Sequence, residues 1–177
     1  MKPINISIIG NCSVGKTAIA NAMIHMPFNE EYAPTVGASL VKVNYKGNLF
    51  YLWDTCGMEK YRSLAPVYFR GSMAAVLVFA VDDQKSFESL RYWMQFYRST
   101  VGSANPVVIV ANKTDVDNLV DTDTAREWAS SVDCPFVCVS AKTGLGLDTV
   151  LDELLKLIPV QADEAPTVTK NHGKKCC

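Results

Sequence analysis

The chain has 177 residues, 49% of them apolar and 20% charged, with a formal net charge of −1. That length accommodates one domain with a substantial core, and the apolar share excludes a disordered segment. Near-neutral charge excludes bulk attraction to nucleic acid. The longest apolar run, Met73 to Val81, is far below the roughly 20 residues that span a bilayer.

In chain order, the first apolar stretch, Ile4 to Ile9, is interrupted by Asn5 and Ser7. It reads as a strand and not as a secretory leader, which places the protein in the cytosol. Gly10-Asn11-Cys12-Ser13-Val14-Gly15-Lys16-Thr17 follows at once. It matches G-x-x-x-x-G-K-[ST] between a strand and a helix, the context that separates a phosphate loop from a chance glycine turn. Gly10 and Gly15 let the backbone curl so that successive N–H groups, from Ser13 through Val14, Gly15, Lys16 and Thr17 to Ala18, face phosphate oxygens. Lys16 reaches the β- and γ-phosphates as a catalytic cation, and the Thr17 hydroxyl is a magnesium ligand.

Two strands, Ser39 to Tyr45 and Leu49 to Asp54, are joined by Lys46-Gly47-Asn48, a turn that makes them an antiparallel hairpin. In the first, Val41, Val43 and Tyr45 alternate with Leu40, Lys42 and Asn44. Leu40 therefore falls on the polar face, where an exposed leucine invites a partner. Ala74 to Val81 is a buried strand. Phe87, Leu90, Trp93 or Met94, Tyr97 and Val101 then recur at helical spacing, and these aromatics read as core rather than as a cofactor site.

The fifth strand, Val107 to Ala111, leads into Asn112-Lys113-Thr114-Asp115, at a carboxyl strand end where open α/β sheets bind ligands. A carboxylate there accepts two hydrogen bonds from an edge that carries N1–H and a 2-amino group. Guanine has that edge and adenine does not, so adenine would leave an acceptor unpaired. The sixth strand, Phe136 to Val139, precedes Ser140-Ala141-Lys142, whose Ala141 N–H is placed to meet the guanine O6. Val150, Leu151, Leu154, Leu155 and Ile158 form a last amphipathic helix. The order of elements predicts an α/β nucleotide-binding fold, a six-stranded mostly parallel sheet with one antiparallel hairpin and helices on both faces. Residues 1–158 form the domain and 159–177 a tail without core periodicity. Cys134 and Cys138 lack a second ligand pair for zinc and read as buried thiols.

With these motifs and Asp54-Thr55-Cys56-Gly57 in order, residues 3 to about 158 resemble the Ras superfamily of small GTPases. Trp53-Asp54-Thr55, Tyr61-Arg62-Ser63-Leu64-Ala65-Pro66, Tyr68-Phe69-Arg70-Gly71 and the final Cys176-Cys177 are Rab-like. Thr35-Val36-Gly37-Ala38-Ser39 and Ser63-Leu64-Ala65-Pro66 lean toward the endocytic Rabs. The resemblance implies a GTPase that hydrolyses GTP to GDP and phosphate, with Mg2+. It implies that Phe28 packs beside the guanine and that Tyr32 covers the phosphates. It further implies that Thr35 ligates magnesium and meets the γ-phosphate, that Asp54 holds the metal through water, and that the Gly57 N–H senses the γ-phosphate. Asn112, Lys113, Asp115, Ser140, Ala141 and Lys142 surround the base. These γ-phosphate contacts are the switch.

Met58 stands where the family carries the glutamine that orients the attacking water. A thioether is a weak acceptor and no donor, so intrinsic hydrolysis is expected to be slow. Cys12 and Cys56, the latter in place of a small alanine, are read as small-residue replacements, with a redox-sensitive pair as the alternative. Leu40, Trp53 and Tyr68 occupy the three positions that Rab effectors read, Leu40 replacing an aromatic residue.

The tail Lys170-Asn171-His172-Gly173-Lys174-Lys175-Cys176-Cys177 resembles a double geranylgeranylation site, and two lipids beside a basic patch anchor stably. The implied partners are guanine nucleotide, effector proteins, an exchange factor, an activating protein, a prenyl transferase with its escort and a GDP-dissociation inhibitor. The chain would act as a monomer on the cytoplasmic face of an endomembrane. Two alternatives stand beside a cycling trafficking switch: a GTP-locked effector-binding module, and a P-loop small-molecule kinase against which the guanine motif weighs.

Overall fold

The computed structural model describes residues 2–29, 35–57 and 63–158. Six strands form one sheet in the order β2-β3-β1-β4-β5-β6. They are β1 (Ile4–Ile9), β2 (Ala38–Tyr45), β3 (Asn48–Thr55), β4 (Ala74–Ala80), β5 (Val107–Asn112) and β6 (Phe136–Cys138). Only β2 and β3 pair antiparallel; β1 runs parallel to β3 and β4, and β5 to β4 and β6. The hairpin turn is tighter than expected, because Asn48 already pairs with Tyr45. Lys46 and Gly47 both take positive φ, 47° and 76°, the two-residue turn whose twist matches that of its strands.

The helices are α1 (Lys16–Ala22), α2 (Ala65–Phe69), α3 (Gln84–Glu88), α4 (Leu90–Val101), α5 (Thr122–Ser131) and α6 (Leu147–Leu157). Alternating side chains of the central strands feed two cores. Ile6, Ile8, Val76, Val78, Val108 and Val110 pack with Ile19 of α1 and Val150, Leu151 and Leu154 of α6. On the other face Leu77, Phe79 and Ile109 meet Phe69 of α2, Leu90, Trp93 and Tyr97 of α4, and Ala125 and Ala129 of α5. Both faces of β4 and β5 are buried, which is why these strands are continuous apolar runs with no alternation to read.

The single helix expected over 87–101 is two. Asp83 caps α3 by accepting from the Ser86 N–H, and Ser89 separates α3 from α4 with its hydroxyl donating to the Lys85 carbonyl, 2.8 Å away. Among the described residues, no helix is long and apolar enough to cross a membrane.

Candidate nucleotide and magnesium site

The carboxyl ends of β1, β3, β5 and β6 converge on a cavity of about 450 Å³. At one end lies the phosphate loop. Gly15 has φ 90° and packs so closely on β5 that a Cβ there would run into the Asn112 side-chain amide, so no other residue fits. Lys16 is 6% exposed, and its ammonium donates to the Gly10 and Asn11 carbonyls at 3.0 and 2.6 Å. Burial pushes its pKa down to about 8, against the pull of the Asp54 carboxylate and the Cys12 and Cys56 thiols nearby. Cys12 is exposed and Cys56 buried. Ser13, Thr17 and Ala18 line the same cavity, while Val14 is buried beneath it.

Beside Lys16 three oxygens gather from three parts of the chain. The Thr17 hydroxyl lies 2.7 Å from Asp54 Oδ2 and 2.9 Å from the Thr35 hydroxyl, which stands 3.4 Å from the same carboxylate oxygen. Asp54 is fully buried, and its Oδ1 has no hydrogen-bond partner among the described residues. Burial raises the Asp54 carboxyl's pKa, and hydrogen bonding from Thr17 and the charge of Lys16 oppose it. Two hydroxyls around a buried carboxylate with an unused oxygen fit a hard, oxygen-seeking cation such as Mg2+, held directly or through water. Gly57 presses on the phosphate loop: a Cβ there would lie 2.5 Å from the Asn11 carbonyl carbon and from the Cys12 nitrogen.

At the far end, Asn112 is a staple. Its Nδ2 donates to the Val14 carbonyl at 2.8 Å, and its Oδ1 accepts from the Ala141 N–H at 3.2 Å. The loop expected to meet the base is thereby tied to the phosphate loop, and the Ala141 N–H assigned to guanine O6 is directed at Asn112. The Ser140 hydroxyl donates to Asp115 Oδ1 at 2.6 Å and so orients the carboxylate. Lys113 has φ 67° and pairs with Asp82 at 3.1 Å. Phe28 is exposed, with the Lys142 ammonium 5.9 Å from its ring centre.

On the sheet edge, Leu40 lies opposite Trp53 in the β2–β3 register, and the Trp53 and Tyr68 ring centres are 6.1 Å apart. The three positions expected to meet partners therefore form one patch. Tyr32, Met58, Cys176 and Cys177 lie outside the described residues. Sequence reasoning missed Asn11, Ser89 and Trp93 as neighbours of the site. Trp93 does belong to the core, but a buried indole N–H needs an acceptor, and that requirement was the available signal.

A phosphate-loop motif at one end of the cavity and Asp115 at the other fit a P-loop nucleotide-binding protein. A model of the Ras family matches residues 5–160. Ras-related protein Rab-22A of Homo sapiens is 34% identical over 167 residues, covering 90% of this chain and 85% of that protein. Rab-31 of Rattus norvegicus is 33% identical over 166 residues, with the same shares covered. Rab-5B of Plasmodium falciparum is 31% identical over 160 residues, 88% of this chain and 77% of that protein.

The chain belongs to the Rab group of the Ras family of small GTPases, and its lean toward endocytic members stands with these relatives. It binds GTP and GDP with Mg2+ and hydrolyses GTP to GDP and phosphate in vesicle trafficking. Effectors, exchange factors and activating proteins are its kinds of partner. The small-molecule kinase reading falls with that membership.

Proposed function

We propose that this Rab switches effector recruitment on an endomembrane through the contacts of Lys16, Thr17, Thr35, Asp54 and Gly57, and that it turns off slowly. The observation that carries the switch reading is the gathering of Thr17, Thr35 and the Asp54 carboxylate, whose Oδ1 has no partner among the described residues, beside Lys16. Thr17 and Thr35 would ligate the metal, and Asp54 would hold it through water. The metal, when bound, neutralises charge on the β- and γ-phosphates. Lys16 would neutralise charge on the same phosphates, and the loop N–H groups from Ser13 to Ala18 would fix their position. Thr35 and Gly57 contact the γ-phosphate, and the loss of those contacts after hydrolysis releases the segments that carry them.

At the base, Asp115 accepts from guanine N1–H and the 2-amino group, Phe28, Lys113 and Lys142 pack around the ring, Asn112 and Ser140 hold the loops, and Tyr32 covers the phosphates. Asp115→Ala should lower GTP affinity about a hundredfold or more while leaving ATP binding as weak as before. Competition against a fluorescent GDP analogue reads this out. Equal affinity of the variant and native proteins for GTP would remove Asp115 from the base site.

Effectors dock on Leu40, Trp53 and Tyr68, where the exposed Leu40 lies opposite Trp53 and the Tyr68 ring leans on Trp53. Cys176 and Cys177 carry two prenyl groups, added by a transferase with its escort and extracted by a GDP-dissociation inhibitor. The protein works as a monomer on the cytoplasmic face of an endomembrane. A second reading, a GTP-locked module reset by exchange or degradation, is favoured by Met58, whose thioether offers water no donor.

A further inference from the structure

The side chain of Asn11, the second residue of the phosphate loop, faces the core and not the nucleotide. Its Oδ1 accepts the indole N–H of Trp93 at 2.7 Å, and its Nδ2 donates to the Ser89 hydroxyl at 3.1 Å. Ser89 in turn donates to the Lys85 carbonyl, so its hydroxyl is oriented to accept. Both ends of the Asn11 amide are therefore held by the start of α4, across more than seventy residues of sequence.

The backbone of the same residue bears on the phosphate site. The Asn11 carbonyl takes the Lys16 ammonium in the shorter of its two bonds, 2.6 Å. The 11–12 peptide is also the surface on which Gly57 rests without room for a methyl group. Trp93 itself is 2% exposed and wedged between Tyr92 and Phe96, at 5.6 and 6.3 Å between ring centres, so it cannot follow a drifting loop. A rigid donor in the core thus sets where the peptide lies that positions both Lys16 and Gly57.

We propose that Asn11 is a positioning residue for nucleotide binding, with Trp93 and Ser89 as its anchors, so that the first turn of α4 is part of the phosphate-binding machinery. The inference rests on the reading of Lys16 and Gly57 as phosphate contacts. Releasing Asn11 frees the peptide and lets the Lys16 ammonium leave the position from which it meets the phosphates.

The test uses the full chain loaded with a fluorescent GDP analogue. Asn11→Ala and Trp93→Phe, which keeps an aromatic ring and loses the donor, should each speed nucleotide dissociation about tenfold, the weight of one buried hydrogen bond. Asn11→Asp keeps the acceptor for the indole and lets the Ser89 hydroxyl turn to donate, so it should stay within about threefold of the native rate. In 1H–15N spectra the Trp93 indole N–H peak, assigned by its loss in Trp93→Phe, should move upfield in Asn11→Ala. It should also shift when GDP is exchanged for a non-hydrolysable GTP analogue, a response that a merely structural contact would not give. Native dissociation rates in both Asn11→Ala and Trp93→Phe, or an indole peak indifferent to Asn11→Ala and to the nucleotide, would overturn the proposal. Should Trp93→Phe not fold, Ser89→Ala and Asn11→Ala carry the same test. A Lys16→Ala control separates the two levels: if it binds the GDP analogue as the native protein does, the phosphate reading fails, and not the role of Asn11 alone.

Discussion

Lys16 illustrates how far residue-level chemistry follows from a motif. Its place in G-x-x-x-x-G-K-[ST] predicts a cation beside phosphate, but its burial against two carbonyls, and the resulting pKa of about 8, come from packing that no motif encodes. The lowered pKa has a definite sign. Between about 8 and 10.5 the unfolded chain holds a proton that the folded chain has lost, so stability rises with pH across that window. In urea unfolding of nucleotide-stripped protein, the native chain should gain on Lys16→Met between pH 8 and 10, by up to about 1.4 kcal/mol per pH unit. Parallel pH curves for the two proteins would contradict this. Asn112 is the opposite case. Its motif marks it for the nucleotide site, yet its hydrogen bonds go to Val14 and Ala141, and only the three-dimensional arrangement reveals a staple between loops.

At the scale of elements, neighbouring residues of α2 part company. Tyr68 is half-buried and leans on Trp53, whereas Phe69 is fully buried and meets Phe96 and Tyr97 edge-on at 5.6 and 5.4 Å. Phe69→Ala should destabilise the domain by about 3 kcal/mol or more, while Tyr68→Ala should cost less than about 1 kcal/mol and still weaken effector binding. Thermal unfolding alongside a pull-down with an effector distinguishes them, and a Tyr68→Ala protein that keeps full binding would take Tyr68 out of the partner surface. The strands and α6 were legible because apolar periodicity reports burial directly. The division of the 87–101 segment was not, since Phe87 and Leu90 keep helical spacing across the break at Ser89. Helix α5 was missed for a related reason: among its buried residues are only Ala125 and Ala129, too small to mark a stripe in the sequence.

Across the whole molecule, the order of motifs fixes which strand ends meet, and the right-handed crossovers of a parallel sheet bring them to one side. That is why a reading of loops in sequence found a site assembled from residues as far apart as Lys16 and Asp115. What it could not find were contacts made through the back of the site, such as Asn11 with Trp93, because their spacing follows from helix packing and not from any local pattern. The fold and cavity supply what GTP binding needs, and the proposed slow turn-off rests on Met58. Positioning of the attacking water supplies much of the catalysis in phosphoryl transfer, so we propose that the side chain at that position sets how long the switch stays on. Single-turnover hydrolysis of preloaded GTP, compared between the native protein and Met58→Gln, tests this most directly. The account predicts a native rate slower by about tenfold or more, and equal rates in the two proteins would contradict it.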